Sequence, residues 1–177
     1  MKVLIAGAGI GGLTTALMLH ARGIPVQIYE TAAEVREAGV GINILPHAIR
    51  ELETLGLLPA LDVVGLRTRR LTYYTRSGQE VWSELRGTYA GHEVPQFSIH
   101  RGRLQHLLYK AVLDRLGPKA VQTGRRLGGF VQDDKGITAH FANSIDGSKG
   151  ITVRGDVLIC CDGIHSAGRK VFYPNEK

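Results

Sequence analysis

The run Gly7-Ala8-Gly9-Ile10-Gly11-Gly12 constrains this chain more than any other stretch, because of what flanks it. Before it, Val3 to Ala6 is a short continuous apolar run, as expected of a strand buried on both faces. After it, Leu13, Ala16, Leu17 and His20 recur at helical spacing, and Gly23 provides a C′ stop. Val26-Gln27-Ile28-Tyr29-Glu30 then reads as a second strand. Strand, glycine turn, helix and strand within roughly 30 residues make a βαβ unit. The expected fold class is therefore α/β, with a Rossmann-like unit at the start of the chain.

The same residues fit a phosphate cradle. Gly7 permits the tight turn, Gly9 lets a pyrophosphate approach the backbone, and Gly12 allows close packing of helix on strand. The helix N-terminus favours the phosphate charge. Glu30 falls roughly 20 residues on, at the end of strand two, where a carboxylate can accept hydrogen bonds from a ribose diol. A 2′-phosphate would place a second negative charge beside Glu30, so FAD or NAD is expected there and NADP is not. The fingerprint alone does not separate the first two.

Further along, Thr31 to Gly41 is polar and irregular, ending in Gly39-Val40-Gly41-Ile42-Asn43, which can bring backbone close to a ligand. Pro46 stands at the first position of a helix whose stripe is Ala48, Ile49, Leu52 and Leu55, closed by Gly56. Leu71–Thr75 and Glu80–Leu85 alternate with period two around Ser77-Gly78, which predicts an antiparallel hairpin. Trp82, Tyr73 and Tyr74 on it fit either an aromatic pocket or cross-strand packing. A helix is predicted over Arg101–Leu116, buried through Leu104, Leu107, Leu108, Ala111, Val112 and Leu116 and stopped by Gly117-Pro118. Strands follow around Leu127–Gln132, Ile137–Phe141 and Ile151–Val153. Val157 to Cys161 reads as a last buried strand, followed by Asp162-Gly163-Ile164-His165-Ser166. A carboxylate and a flexible glycine at the end of a buried strand are placed where α/β sheets bind ligands.

The 177 residues allow one domain and part of another, and 44% hydrophobic with 21% charged residues is ordinary for a globular chain. The formal net charge of +6 is spread out. Only Arg67-Thr68-Arg69-Arg70 and Arg125-Arg126 cluster, and neither is long enough for a nucleic-acid arm. The balance fits an anionic partner such as a dinucleotide or nucleic acid, or, as the favoured reading, a chain whose acidic half lies elsewhere. The two cysteines, Cys160 and Cys161, are adjacent and point to opposite faces of a strand, which fits a reducing, cytoplasmic setting and no disulfide. No apolar run is long enough for a membrane span or a signal-peptide core, and strand one begins right after Met1, so a native N-terminus and no membrane partner are expected. His47, His92, His100, His106 and His140 show no metal-ligand spacing, and no metal site is expected.

Three separated motifs occur in one order: Gly39-Val40-Gly41-Ile42-Asn43, then Ile99-His100-Arg101-Gly102-Arg103-Leu104, then Cys161-Asp162-Gly163-Ile164-His165-Ser166 with Arg169. With the glycine fingerprint, they make the whole chain resemble the class A flavoprotein monooxygenases, those with the p-hydroxybenzoate hydroxylase fold. Gly-Val-Gly-Ile-Asn-Ile and Pro95-Gln96-Phe97-Ser98-Ile99-His100-Arg101 are similar in wording to the phenazine-modifying members. The resemblance implies FAD, held by Gly7, Gly9, Gly11, Gly12, Glu30, Gly41, Asn43, Arg101, Leu127, Asp162 and Gly163. Arg101 would contact the phosphate and ribityl region, where a guanidinium fork suits a phosphate. Asp162 and Gly163 would meet both FAD and the reduced nicotinamide. Leu127 would act through its backbone. Cys161 stands where many relatives have Ala, His165 reads as structural, and Gly168 replaces a commonly apolar residue and would loosen the helix starting there.

The resemblance further implies residues 1–66 and 100–177 as a discontinuous FAD-binding domain, with 67–99 opening a β-rich substrate subdomain. In activity it implies NADH or NADPH as electron donor, molecular oxygen, a flavin C4a-hydroperoxide and a small aromatic or heteroaromatic substrate. The cofactor carries that chemistry, so no catalytic side chain is singled out. Family members continue into a later Gly-Asp motif, so this chain, ending at Lys177, is expected to be an N-terminal part, inactive alone. Two other readings stay open: a non-catalytic FAD-binding fragment, and an NAD-dependent dehydrogenase.

Overall fold

β1 (Val3–Ala6) is buried along its whole length and turns at Gly7 into α1 (Ile10–His20). The turn requires a φ of +100° at Gly7, a conformation that side chains rarely adopt. α1 buries Gly12, Leu13, Ala16 and Leu17. His20, expected on that stripe, is exposed, because the helix ends there and the chain leaves through Gly23. β2 (Val26–Tyr29) follows. The computed structural model describes residues 1–37 and 39–176. Ala38, within the stretch read as irregular, lies outside them.

β3 (Gly41–Ile44) leads into α2 (Pro46–Thr54), with Pro46 in the first turn, and then α3 (Leu58–Val64) and β4 (Gly65–Arg67). β5 (Arg70–Tyr74) and β6 (Glu80–Leu85) form the expected hairpin. A 3₁₀ turn over Gly87–Ala90 precedes β7 (Phe97–His100) and α4 (Arg101–Leu116). The chain closes with β8 (Val121–Gln122), β9 (Arg125–Asp133), β10 (Gly136–Asn143), β11 (Ile151–Gly155), β12 (Val157–Cys160) and α5 (Ala167–Phe172).

Two compact units result, Met1–Arg36 with Leu108–Lys177 and Glu37–Leu107. The divisions fall before Glu37 and after Leu107. The reason is pairing: β7 bonds to both β3 and β4, which binds the segment from Gly41 onward to the hairpin region.

In the first unit a parallel sheet runs in the order β12-β1-β2-β8, and an antiparallel one in the order β11-β10-β9. Leu4, Ala6 and Tyr29 of the parallel sheet share a core with Leu127, Ala139 and Phe141 of the antiparallel one. The Tyr29 and Phe141 rings stack at 4.1 Å, and burial pushes the Tyr29 phenol above its ordinary pKa. Ile5 and Ile28, of opposite parity, are fully buried too, and α1 packs on β1 and β2. β12, expected to be buried, is an edge strand with Val157 40% exposed, because among the described residues β1 alone is its ladder partner.

In the second unit β3-β7-β4 is antiparallel. Tyr73 and Trp82 pair across the hairpin at 5.8 Å, both largely exposed, so cross-strand packing accounts for them. No helix among the described residues is long and apolar enough to cross a membrane.

Candidate functional site

The carboxyl ends of β1, β2 and β12 carry Gly7, Glu30 and Asp162, which gathers three of the expected residues at one edge of the parallel sheet. Such an edge is where open α/β sheets take ligands. Gly7 N–H donates to the Tyr29 carbonyl at 2.7 Å, and Cys161 N–H to the Ala6 carbonyl at 2.8 Å, so the three strand ends are tied together. A Cβ on Gly7 would collide with the Cys161 carbonyl oxygen, and one on Gly12 with the Gly7 carbonyl oxygen. Both glycines are thus required by the protein's own packing.

Gly9 and Gly11 differ. A Cβ on either meets no heavy atom within 4 Å, so the space beside them is open. Gly9 is the N-cap of α1 and offers no side-chain acceptor, and the first turn holds no acidic residue. The opening amides of a helix have no carbonyl partner within it. An open cradle at a helix start without its own anion fits a diphosphate.

Glu30 faces the same loop. One carboxylate oxygen accepts from Ala8 N–H at 2.6 Å and the other from Ala32 N–H at 2.8 Å. The carboxylate is therefore pinned beside the cradle with lone pairs to spare, since each oxygen can accept more than one donor.

Asp162 is engaged with α5. Its carboxylate accepts from Ser166 Oγ at 2.6 Å and from Ala167 N–H at 2.6 Å, with Gly168 N–H at 3.3 Å. Ser166, buried, is the N-cap and accepts from Arg169 N–H at 2.9 Å. Backbone is what this motif leaves open: Gly163 has a φ of +79°, and a Cβ there would meet nothing within 4 Å. Ser166 was not singled out by sequence reasoning, although a serine just before a helical segment is an N-cap signal. Gly168, expected to loosen α5, sits in its first turn. It is buried, and a Cβ on it would overlap Cys160.

The two thiols take opposite sides. Cys161 Cβ lies beside Gly12 of α1, whereas Cys160 packs on the Leu4–Phe141 core. Burial, then the charge of Asp162 and then Cys161, pushes Cys160 up to about 11. Burial likewise raises Cys161, against a hydrogen bond from Thr15. Both are protonated near neutrality and behave as small apolar groups. Leu127 is in the same core, 4% exposed, paired across the ladder with Phe141.

Gly41, Asn43 and Arg101 lie in the second unit, on or beside the β3–β7 ribbon, where Gly41 pairs with His100 and Asn43 with Ser98. Arg101 N–H donates to the Val40 carbonyl at 3.0 Å, and a Cβ on Gly39 would sit 2.7 Å from Arg101 Nε. The guanidinium is exposed and, among the described residues, has no carboxylate partner. Asn43 Oδ1 accepts from Ser98 Oγ at 2.6 Å, and that hydroxyl also meets Thr68 Oγ1 at 2.8 Å. Beside it, His100 Nδ1 is buried without a hydrogen-bond partner among the described residues.

At the other end of the ribbon is a cavity of about 450 Å³ within the second unit. Leu45, Pro46 and Leu85 give it apolar walls, and Arg50, Arg86 and Gln96 polar ones. Gln96 is 3% exposed. Arg86 pairs with Glu84, which also lines the cavity, and lies over the Trp82 ring at 5.9 Å, yet its Nε is buried with no hydrogen-bond partner among the described residues. Sequence reasoning missed this group, because α2, β6 and the 3₁₀ turn contribute only two or three residues each.

A dinucleotide-binding module built on a parallel sheet is the class that this fold and site define. Residues 1–172 match the FAD binding domain family, and the chain belongs to it. It is 46% identical over 174 residues to the phenazine 1,6-dicarboxylic acid hydroxylase PhzS of Lysobacter antibioticus, covering 98% of this chain and 43% of that protein. It is 33% identical to the aurachin C monooxygenase/isomerase of Stigmatella aurantiaca, over 96% of this chain and 42% of that one. The crystal structure of Klebsiella pneumoniae HpxO complexed with FAD and uric acid superposes with a TM-score of 0.78 at 30% identity, over 97% of this chain and 41% of that one. The chain thus spans less than half the length of the curated relatives it matches. The flavoprotein monooxygenase resemblance is borne out, and FAD is the cofactor of the family.

Proposed function

We propose that this chain is the FAD-binding part of a monooxygenase that hydroxylates an aromatic or heteroaromatic ring, with NADH or NADPH as electron donor and molecular oxygen as co-substrate. The observation that carries the reading is the open cradle at Gly9 and Gly11 beside the pinned Glu30 carboxylate, in a chain of the FAD binding domain family. The names of the relatives, a phenazine dicarboxylic acid hydroxylase among them, support the ring substrate. Because those relatives are more than twice as long, the activity is assigned to the whole protein and not to these residues alone.

In this reading the amides at the start of α1 receive the diphosphate, and Glu30 accepts from the ribose diol while still holding the loop. Gly7 and Gly12 keep the turn compact. Arg101 meets phosphate and ribityl oxygens, and Gly41, Asn43, the Leu127 backbone and the Asp162–Gly163 backbone line the cofactor. Bound FAD supplies two-electron transfer and oxygen activation, with one oxygen atom ending on the ring and the other in water. No side chain of this chain is given an acid–base role, and Asp162 is a cap and not a base. A reducing, cytoplasmic setting suits two cysteines that are both free.

The test is a titration with FAD followed by flavin fluorescence. Saturable binding that weakens about tenfold or more in Arg101→Ala and in Glu30→Ala supports the reading. Binding indifferent to both substitutions, or NAD captured in preference to FAD, sinks it.

A further inference from the structure

The sheet β3-β7-β4 has an apolar face and a polar one, because neighbouring residues of a strand point to opposite sides. Ile44, Phe97 and Ile99 are buried on the first. On the second, Gly41 stands opposite His100 and Asn43 opposite Ser98, so these four make the corners of one patch. Thr68, just past β4, adds its hydroxyl to Ser98.

The patch is wired in one direction. Ser98 Oγ and Asn43 Oδ1 lie 2.6 Å apart, usual for O–H···O and short for N–H···O, so the hydroxyl donates to the amide oxygen. Ser98 has a single proton, and it points there. Thr68 Oγ1, 2.8 Å from Ser98 Oγ, is therefore the donor of the second bond. The chain from Thr68 through Ser98 fixes which way the amide faces, and it turns Asn43 Nδ2, a double donor, away from Ser98.

His100 shows the complementary condition, with Nδ1 buried and no hydrogen-bond partner among the described residues. Proteins seldom leave such an atom unmatched unless a ligand or water completes it. Gly41 contributes no side chain, and a Cβ there would meet nothing within 4 Å. His100 and Asn43 are diagonal neighbours in the ladder, roughly 7 to 8 Å apart. One hydroxyl oxygen over Gly41, with a hydrogen bond of about 2.8 Å on each side, can bridge them. A hydroxyl suits both, since it accepts from Asn43 Nδ2–H and donates to His100 Nδ1 in the Nε2–H tautomer.

We propose that His100 and Asn43 together bind one hydroxyl of the FAD ribityl chain, and that Ser98 and Thr68 are positioning residues that hold the Asn43 amide for it. The inference rests on the FAD reading. It fits the covalent order of that cofactor, in which free hydroxyls follow the phosphate assigned to Arg101, the next residue after His100.

The experiment titrates the 177-residue chain and its variants with FAD, and with ADP, which has the diphosphate but no ribityl chain. His100→Leu and Ser98→Ala should each weaken FAD about fivefold, while ADP binds all the chains alike. His100→Asn, whose Oδ1 reaches the place of Nδ1, and Ser98→Thr should recover most of the loss. Thr68→Val, of the same shape without the donor, should give a smaller loss. Ser98→Ala should add nothing to Asn43→Ala, because it acts through that amide. Emission of Trp82, the single tryptophan and in the same unit, checks that each variant is folded. Unchanged FAD affinity in His100→Leu, equal losses for FAD and ADP, or additive losses for Ser98 and Asn43 overturn the proposal. FAD bound by the parent chain no tighter than ADP overturns it too, and leaves the dinucleotide cradle standing. NAD taken in preference to FAD sinks the flavin reading itself, and this inference with it.

Discussion

Cys160 and Gly168 touch so closely that a Cβ on Gly168 would stand 2.7 Å from Cys160 Cβ and overlap its sulfur. This contact seats α5 on β12, and the Asp162 carboxylate caps the same helix. Gly168→Ala should therefore lower the unfolding free energy by about 1–3 kcal/mol, the usual range for overpacking. Adding Cys160→Ala should recover part of the loss, since the sulfur goes but Cβ stays. Urea denaturation of the two single variants and the double would measure the coupling. Strict additivity would show that the contact is not the cause.

The fingerprint glycines separate into two kinds. Gly12→Ala presses a methyl into the Gly7 carbonyl, a backbone atom that cannot swing aside. It should cost about 3 kcal/mol of stability and cofactor binding with it. Gly9→Ala meets open space, at a φ of −72° that any residue adopts. It should cost at most about 1 kcal/mol, as a weaker N-cap, yet reduce FAD affinity about tenfold by filling the cradle. Thermal melts beside FAD titrations decide this. Equal effects of both variants on folding would contradict the division.

How far this was legible from the chain depends on whether the signal was local. The opening βαβ unit announced itself because periodicity, a glycine turn and a carboxylate fell in consecutive positions, and α4 because its apolar stripe runs over four turns. α3 escaped notice because Pro59 breaks a short apolar stretch that reads as loop. β8 has only two residues and exists through its pairing with β2, a relation no local pattern encodes. Of the site, the glycines and Glu30 carried a spacing signal. The turn of Asp162 toward Ser166 depended on where α5 begins, and the Arg86–Gln96 cavity on three elements distant in sequence.

Cys160 supplies a prediction at high pH. Its pKa is raised to about 11, mainly by burial, while an unfolded thiol ionises near about 8.5. The folded state thus favours the protonated form. Its contribution is fully present below the unfolded value and is lost as pH rises toward about 11. Unfolding midpoints from neutral to strongly alkaline pH should fall more steeply in the parent chain than in Cys160→Ala, with Cys161 leaving a residual slope in both. Parallel curves would mean that the thiol is not held in its neutral form.

At the acid end the sign reverses. Arg154 Nη1 donates to Asp133 Oδ2 at 2.8 Å, its Nη2 donates to Oδ1, and Lys135 N–H adds a bond to Oδ1 at 2.8 Å. These hold Asp133 at about 2, below the unfolded carboxyl value of about 3.9. The carboxylate's contribution is present above the unfolded value and disappears as pH falls toward about 2. The pair joins β9 to β11 across β10, but it is exposed to solvent, so salt should weaken it. Asp133→Asn should melt below the parent chain at pH 7 in low salt, and the gap should shrink both on acidification and in about 1 M salt. A gap independent of pH and salt would show that packing, and not the ion pair, holds this corner of the antiparallel sheet.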